Sequence, residues 1–288
     1  MKRDESSKMT IVATPFIKEP DSKRNVTVSL VQNVVASMIS LGACLLPANA
    51  ADRQVRLQTP SEIAKDLSAM PLIAGPVDDA ERKINAAVSH LDASARKAAA
   101  ACKAEGGTDS WWERGINVTM QGPRYLSYDI NDNTFCGGAH PNTSKMSIVY
   151  DLTNGSPIDW TALLPPSLTG SLQLVAGADG TKMVTLSGRT LRALYLTGYR
   201  PRTGDLKKDA DDDECRQAVA DAGIDGASGL MVWLDAKQGG LVAQFDLAHA
   251  DQACADSVTI PAAALKVEGA QAILVNAIEA AHAQQRGP

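Results

Sequence analysis

Residues 135–160, FCGGAHPNTSKMSIVYDLTNGSPIDW, contain a constrained loop, a patterned strand and a tight turn in direct succession. Apolar side chains occupy every second position of the central part, at Met146, Ile148, Tyr150 and Leu152. This period of two predicts a strand with one buried face. Asn154 and Gly155 follow, and both adopt positive φ at low cost. We therefore expect the chain to turn here into a hairpin whose second arm is residues 156–160.

The loop before this strand, residues 136–142, is predicted to have a defined conformation. Gly137 and Gly138 can adopt backbone angles that are closed to other residues. Pro141 restricts His140 to extended geometry. The loop begins at a cysteine, Cys136, which could hold it in place.

The first 50 residues are typical of a secretory signal peptide. Lys23 and Arg24 precede an apolar run over residues 34–46, and Ala50 fits the requirement of signal peptidase for small residues. Cleavage after Ala50 would release residues 51–288 into the periplasm or the medium. The apolar run would span about 20 Å as a helix, whereas a hydrocarbon core needs about 30 Å, so no membrane anchor is expected after cleavage. Lipoprotein processing at Cys44 is the alternative.

The composition is typical of a globular protein, and the charge argues against nucleic-acid binding. The chain has 44% hydrophobic and 21% charged residues, as expected of a globular protein. Without residues 1–50, 22 basic and 29 acidic residues remain, a net charge of −7. Because a nucleic-acid-binding protein needs a basic face, we do not expect nucleic acid as a partner.

Four cysteines follow residue 50: Cys102, Cys136, Cys215 and Cys254. An even number of cysteines in an exported chain predicts two disulfides. Of the three possible pairings, the order along the chain favours Cys102–Cys136 with Cys215–Cys254. Zinc binding is the competing interpretation, but no CxxC or HxxxH spacing is present. We expect neither a metal nor another cofactor.

Periodicity places further helices and strands before the loop. Apolar residues recur every three or four positions over residues 78–103, which predicts a helix that carries Cys102. Two alternating segments follow, at residues 116–120 and 126–130, with a turn predicted after them at residues 131–133. They would form an antiparallel meander that leads into the loop.

The rest of the chain mixes the same two kinds of element. The sequence predicts helices at residues 189–199 and 214–222, a hairpin over residues 230–247, a strand at residues 258–260 and one helix over residues 262–285. No linker divides the chain. We therefore expect an α+β fold with antiparallel sheet and packed helices. Residues 51–288 would be one domain, or two packed subdomains at residues 51–135 and 136–288.

His140 is the only histidine in a shaped loop, so it is the natural candidate for a catalytic or ligand-contacting group. Catalysis also needs a nucleophile or an orienting carboxylate, and no recognisable motif supplies them. A structural role for this imidazole is therefore expected. A cell-envelope hydrolase that pairs His140 with Asp129, Asp132 or Asp151 is kept as an alternative.

Adjacent tryptophans precede the first strand of the meander. Trp111 and Trp112 could form an exposed platform for a ligand, although at least one of them is expected in the core. The candidate ligand-binding residues are therefore Trp111, Trp112, Gly137, Gly138, His140 and Asn142.

The order of several short motifs resembles the RsiV-like extracytoplasmic domain, which belongs to the family of domain of unknown function 3298. The motifs are MPLIAG at residues 70–75, Ile84-Asn85, GGAHPN at residues 137–142, Tyr150-Asp151-Leu152 with Gly155, and the segments at residues 229–247 and 258–261. This family occurs in RsiV-type anti-sigma factors and beside PdaC-type peptidoglycan deacetylase domains. The resemblance implies an α+β domain of the cell envelope, and in the anti-sigma members that domain recognises lysozyme.

This sequence departs from the family in two ways, so neither the anti-sigma activity nor the deacetylase activity is expected of it. From the short N-terminus we expect no cytoplasmic sigma-binding segment, and we expect no attached deacetylase domain. We therefore expect a non-enzymatic periplasmic or secreted module that binds a lysozyme-like protein or a peptidoglycan fragment. The alternatives are the hydrolase that uses His140 and a structural envelope protein that oligomerises through an exposed apolar patch on the C-terminal helix.

Overall fold

The structure is a computed structural model that describes residues 53–200, 210–222, 228–247 and 249–287. The predicted signal peptide and Cys44 lie outside the described residues. Two short strands, β1 (Leu57–Gln58) and β2 (Leu72–Ile73), pair at the start of the described chain. They are followed by α1 (Asp79–Gly106), which confirms the predicted long helix.

A three-stranded antiparallel sheet follows α1, with the order β3-β4-β5. Its strands are β3 (Trp111–Gln121), β4 (Tyr125–Phe135) and β5 (Asn142–Asp151). The predicted meander is confirmed, but the turn predicted at residues 131–133 is wrong. These polar residues lie inside β4 because the sheet gives them partners: Asp132 accepts a hydrogen bond from Trp112 Nε1 at 2.8 Å. The chain turns only after Phe135.

The strand β5 differs from its prediction because both of its faces are covered. Met146 and Tyr150 pack with residues of α1, as the alternation predicted. Val149 points to the other face and packs into a second core. Ser147 on that face donates a hydrogen bond from Oγ to Val232 O at 3.0 Å. A second sheet therefore covers the side of β5 that the sequence suggested would face solvent.

The turn after β5 is formed as predicted, with Gly155 at φ 71°. Its returning arm is short: Ile158 N donates to Val149 O at 2.9 Å. Two short helices follow, α2 (Trp160–Leu163) and α3 (Pro166–Thr169). The next hairpin, β6 (Leu172–Ala176) with β7 (Lys182–Leu186), was not predicted from the sequence.

The second half of the chain builds the five-stranded antiparallel sheet, in the order β10-β9-β8-β7-β6. Its elements after β7 are α4 (Arg189–Gly198), α5 (Ala210–Asp221), β8 (Leu230–Asp235), β9 (Gly240–Phe245), β10 (Val258–Pro261), α6 (Ala262–Val267) and α7 (Ala272–Arg286). The predicted helix α4 and the hairpin β8–β9 are confirmed. The single C-terminal helix is wrong, since Gly269 at φ 90° separates α6 from α7.

The apolar stripe of the C-terminal segment is largely buried. Leu265, Leu274 and Ile278 are each 0% exposed and belong to the core around the five-stranded sheet. Ile273 of α7 is 44% exposed. The two sheets pack against each other through β8, where Thr119 Oγ1 of β3 donates to Leu234 O at 2.7 Å. Antiparallel sheets with packed helices confirm the α+β fold class.

Both predicted disulfides are present. Cys102–Cys136 joins the last turns of α1 to the loop after β4, and Cys215–Cys254 joins α5 to the 3₁₀ segment before β10. In the part of the chain that the structure describes, no helix is both long enough and apolar enough to cross a membrane.

Candidate functional site

The loop between β4 and β5 is exposed over residues 137–141 and held at its base. Gly137 has φ 82° and Gly138 has φ 124°, which accounts for the glycine pair. The backbone of Gly106 at the end of α1 lies against Cys136. A Cβ atom at residue 106 would meet the Cys136 carbonyl carbon at 2.5 Å. Close backbone packing and a disulfide thus fix the loop beside α1.

The two adjacent tryptophans are separated by the sheet. Trp111 is 40% exposed, whereas Trp112 is 7% exposed and belongs to the core with Cys102. The prediction that at least one of them lies in the core is confirmed, and Trp112 is not part of an exposed surface. Burial raises the pKa of Asp132, the hydrogen-bond partner of Trp112, although that bond and the charge of Arg114 act in the opposite direction. This end of the sheet therefore has a buried, hydrogen-bonded interior below Trp111.

The three acids suggested as catalytic partners of His140 lie on strands and have other partners. Asp132 is bonded to Trp112, and Asp129 Oδ1 lies 3.3 Å from Lys145 Nζ. Asp151 Oδ2 accepts from Arg124 Nη2 at 2.8 Å at the opposite end of β5, about 30 Å along the strand from Asn142. Each of these carboxylates thus has a structural contact of its own.

No group of three His, Cys, Asp or Glu side chains within the described residues is close enough to hold a metal ion.

The described residues leave one face of the three-stranded sheet uncovered at the end that carries the loop. The second sheet contacts this face farther along the strands, where Thr119, Ser127 and Ser147 form hydrogen bonds with β8 and Lys145 Nζ lies 4.6 Å from the centre of the Trp233 ring. Beyond that contact, alternate residues of each strand point outward, because a strand has a side-chain period of two. We call this surface the Trp111 face; it comprises Trp111, Glu113, Gly115, Asn117, Asn131, Asn133 and Thr143.

The Trp111 face is rich in amide, carboxylate and hydroxyl groups. Thr143 Oγ1 donates to Asn133 Oδ1 at 3.0 Å, which orients one of the amides. Asn117 Nδ2 lies 3.5 Å from Asp129 Oδ2. Gly115 leaves the middle of β3 open, since a Cβ atom there would meet nothing within 4 Å. The face therefore offers oriented donors and acceptors around an open backbone position at Gly115.

A cavity of about 470 Å³ lies beside the Trp111 face, and Trp111 lines it. Lys65, Arg96 and Lys103 contribute three basic side chains, against one carboxylate from Asp66. The single ion pair among them is exposed and long, with Lys65 Nζ 3.9 Å from Asp66 Oδ2. The cavity therefore favours an anionic group, although the net charge of the chain is −5.

Most of these residues were not singled out from the sequence. Asn131 and Asn133 were assigned to a turn, so their place on a sheet face was missed. The alternation of Glu113, Gly115 and Asn117 with buried residues was the signal that could have identified the outward face of β3. Of the basic residues around the cavity, Arg96 and Lys103 lie two turns apart on α1, whereas Lys65 comes from a separate segment that no local pattern joins to them.

Comparisons with known proteins give a likeness to solved structures but no match in sequence. No protein-family model matches the chain. No curated protein matches it in sequence. The crystal structure of a member of the DUF3298 family from Bacteroides fragilis is similar to this chain with a TM-score of 0.43 and 12% sequence identity, over 78% of this chain and 95% of the other. The description of that protein names the family whose domain the short motifs of this chain resemble.

Proposed function

We propose that this chain is a binding module of the bacterial cell envelope that recognises a peptidoglycan fragment through the Trp111 face. The observation that supports this most is the position of Trp111. This residue is 40% exposed and lies between a polar sheet face and a cavity with three basic side chains. A ligand at this position would meet an aromatic surface, oriented amides and positive charge together.

These three features suit the chemistry of a muropeptide. Sugar rings present apolar C–H faces that pack against an aromatic ring, and their hydroxyl and acetamido groups exchange hydrogen bonds with Asn and Thr side chains. The stem peptide carries carboxylates, which Arg96 and Lys103 would attract. Because Trp111 contacts both regions, one ligand could occupy the Trp111 face and the cavity at the same time.

The envelope location is supported by the cysteines. Disulfides persist in oxidising compartments and are rare in the cytosol. All four cysteines after residue 50 are paired in two bonds. One of these bonds holds the loop beside the Trp111 face, so the proposed site depends on oxidation.

Calorimetric titration of the oxidised protein with a disaccharide-tetrapeptide tests this function. We expect saturable binding that Trp111→Ala weakens at least tenfold. Leu174→Ala is the matched control, because Leu174 is a large exposed side chain on β6, away from this surface. Equal binding by the wild type and both variants, or no binding at all, would refute the proposal.

A lysozyme-type muramidase should be titrated in parallel. If the muramidase binds and the muropeptide does not, the module recognises a protein rather than a cell-wall fragment. Loss of that binding in Trp111→Ala would still place the contact on the Trp111 face.

A further inference from the structure

A second cleft, separate from the Trp111 face, lies between β5 and β7 and has a volume of about 430 Å³. It exists because β7 leaves the sheet after a single pairing with β8, between Leu186 and Leu230. By contrast, β7 pairs with β6 over five residues. Residues 147–150 of β5 and residues 181–184 of β7 line opposite parts of the cleft, and Trp160 and Leu91 add apolar walls.

The edge of β5 presents unpaired backbone groups to this cleft. In an antiparallel ladder, alternate residues direct both N–H and C=O to the same side. Leu152 N donates to Arg124 O of the β4 side, and Val149 O accepts from Ile158 N on the other side. Ser147 therefore directs its N–H and C=O away from β4. Within the described ranges, no group forms a hydrogen bond with either of them.

The edge of β7 has the same property. Gly177 N donates to Thr181 O at 2.8 Å. Thr181 and every second residue after it in β7 therefore direct their backbone groups toward β6. By the same alternation, Val184 directs its N–H and C=O away from β6 and toward the cleft. Neither group is bonded to another described residue. Two strand edges that each lack a partner thus border one cleft.

Charge restricts what the cleft can hold. Its lining contains two basic side chains, His90 and Lys182, and among the described residues no Asp or Glu contributes to it. Both side chains are exposed, and neither takes part in an ion pair within the described chain. The walls are otherwise mostly apolar. An occupant that matches these walls is apolar and carries a carboxylate.

We propose that this cleft binds a short extended segment of a partner polypeptide that carries an acidic side chain. Such a segment would add a strand to the free edge of β7, with main-chain hydrogen bonds to Val184, and its other side would lie against Ser147 of β5. The β5 residues that line the cleft span about 10 Å, which corresponds to three or four residues of an extended peptide. Its carboxylate would face His90 and Lys182. This site is independent of the Trp111 face.

The test is an NMR titration of the oxidised chain with the peptide acetyl-Val-Thr-Glu-Thr-Val-amide. We expect amide shifts centred on Ser147 and Val184. A peptide with Lys in place of Glu should bind at least fivefold more weakly, and a peptide N-methylated at its central residue should not bind. No saturable shift up to millimolar peptide, or equal binding of all three peptides, would overturn the proposal.

Two substitutions in one ladder pair provide matched variants. Val184 and Leu174 face each other across β6–β7, and their N–H groups point in opposite directions. Val184→Pro should abolish peptide binding, whereas Leu174→Pro removes an N–H on the outer edge and should preserve it. Lys182→Gln should remove the preference for Glu over Lys, and Lys237→Gln should not. If a proline variant does not fold, the N-methylated peptide and the lysine variants still decide the question.

Discussion

Nη1 of Arg114 on β3 lies 3.9 Å from Oδ2 of Asp179 at the tip of the β6–β7 hairpin, and both side chains are 0% exposed. Nε of the same guanidinium lies 3.9 Å from Oδ1 of Asp132. No described residue forms a hydrogen bond with any nitrogen of this guanidinium. One buried cation thus balances two buried carboxylates and holds the hairpin tip against the three-stranded sheet.

Removal of this cation should destabilise the fold strongly. Arg114→Met leaves Asp132 and Asp179 buried without a counter charge, and we expect the free energy of unfolding to fall by about 3–5 kcal/mol. Urea denaturation of the oxidised protein measures the change. Arg82→Met is the control, since its ion pair with Asp79 is exposed and should contribute less than about 1 kcal/mol. Similar losses in the two variants would contradict this role of Arg114.

Two aspartates should change the stability with pH in opposite directions, because the pKa of Asp132 is raised and the pKa of Asp159 is lowered in the folded state. Burial raises the pKa of Asp132, so the folded state holds a proton that the unfolded state releases above its value of 3.8. Stability from this group is present below pH 3.8 and is lost as the pH rises through the folded pKa. The stability of the wild type relative to Asp132→Asn should therefore fall with rising pH, as followed by urea denaturation at pH 3 to 7.

Asp159 should behave in the opposite way. A hydrogen bond from the Thr161 hydroxyl lowers the pKa of this carboxylate at the start of α2. Its contribution is present above the unfolded value of 3.8 and is lost as the pH falls through the lowered folded pKa. The stability of the wild type relative to Asp159→Asn should rise with pH over the same series. Slopes of the same sign for both variants would refute the assignment.

The two disulfides should differ in their effect on ligand binding. They close loops of similar length, with sequence separations of 34 and 39 residues. Replacing either pair by Ser should therefore lower the free energy of unfolding by a similar amount, about 3–4 kcal/mol. Only the loss of Cys102–Cys136 should also weaken muropeptide binding, because that bond holds the loop beside the Trp111 face. Titration at a temperature where both variants are folded separates the two effects.

Two glycines should respond to substitution in opposite ways. Gly106→Ala places a Cβ atom against the Cys136 backbone and should lower the free energy of unfolding by about 1–3 kcal/mol. Gly115→Ala meets no neighbour and should be neutral or stabilising by up to about 1 kcal/mol. Denaturation curves compare the two variants.

The longer side chain of Gly115→Gln should project over the Trp111 face and reduce muropeptide binding at least tenfold without unfolding the protein. Unchanged binding in this variant would argue against this face as the site.

Local patterns were sufficient for several elements of the fold. The helix α1 was predicted because its apolar period extends over seven turns and ends at two glycines. The β8–β9 hairpin was predicted because alternating residues flank Gly239 and Gly240. The loop at Gly137 and Gly138 was predicted because backbone conformation there depends on residue type. Each of these features is encoded within a short segment.

Other features depend on residues that are distant in the sequence. The strand β4 continues through Asn131–Asn133 because Trp112 bonds to Asp132, and no turn signal could show this. The C-terminal segment breaks at Gly269, next to a contact between Gln271 N and Leu163 O at 2.8 Å. The hairpin β6–β7 is anchored by Ala178 N, which donates to Ser144 Oγ at 3.2 Å. These contacts act against the local preference because each gives a polar group a hydrogen-bond partner that is distant in the sequence.

The chain alone thus indicated the α+β class, the disulfide pairing and the loop between β4 and β5. These follow from periodicity, cysteine order and glycine, which act over short distances or along the order of the chain. The tertiary structure decided that Trp111 is exposed while Trp112 is buried, and it brought Arg96 and Lys103 beside Trp111. It also left the outward backbone N–H and C=O groups of Ser147 and Val184 without a hydrogen-bond partner among the described residues. Binding surfaces of this kind arise where two sheets end or diverge, and that is set by long-range packing rather than by any single segment.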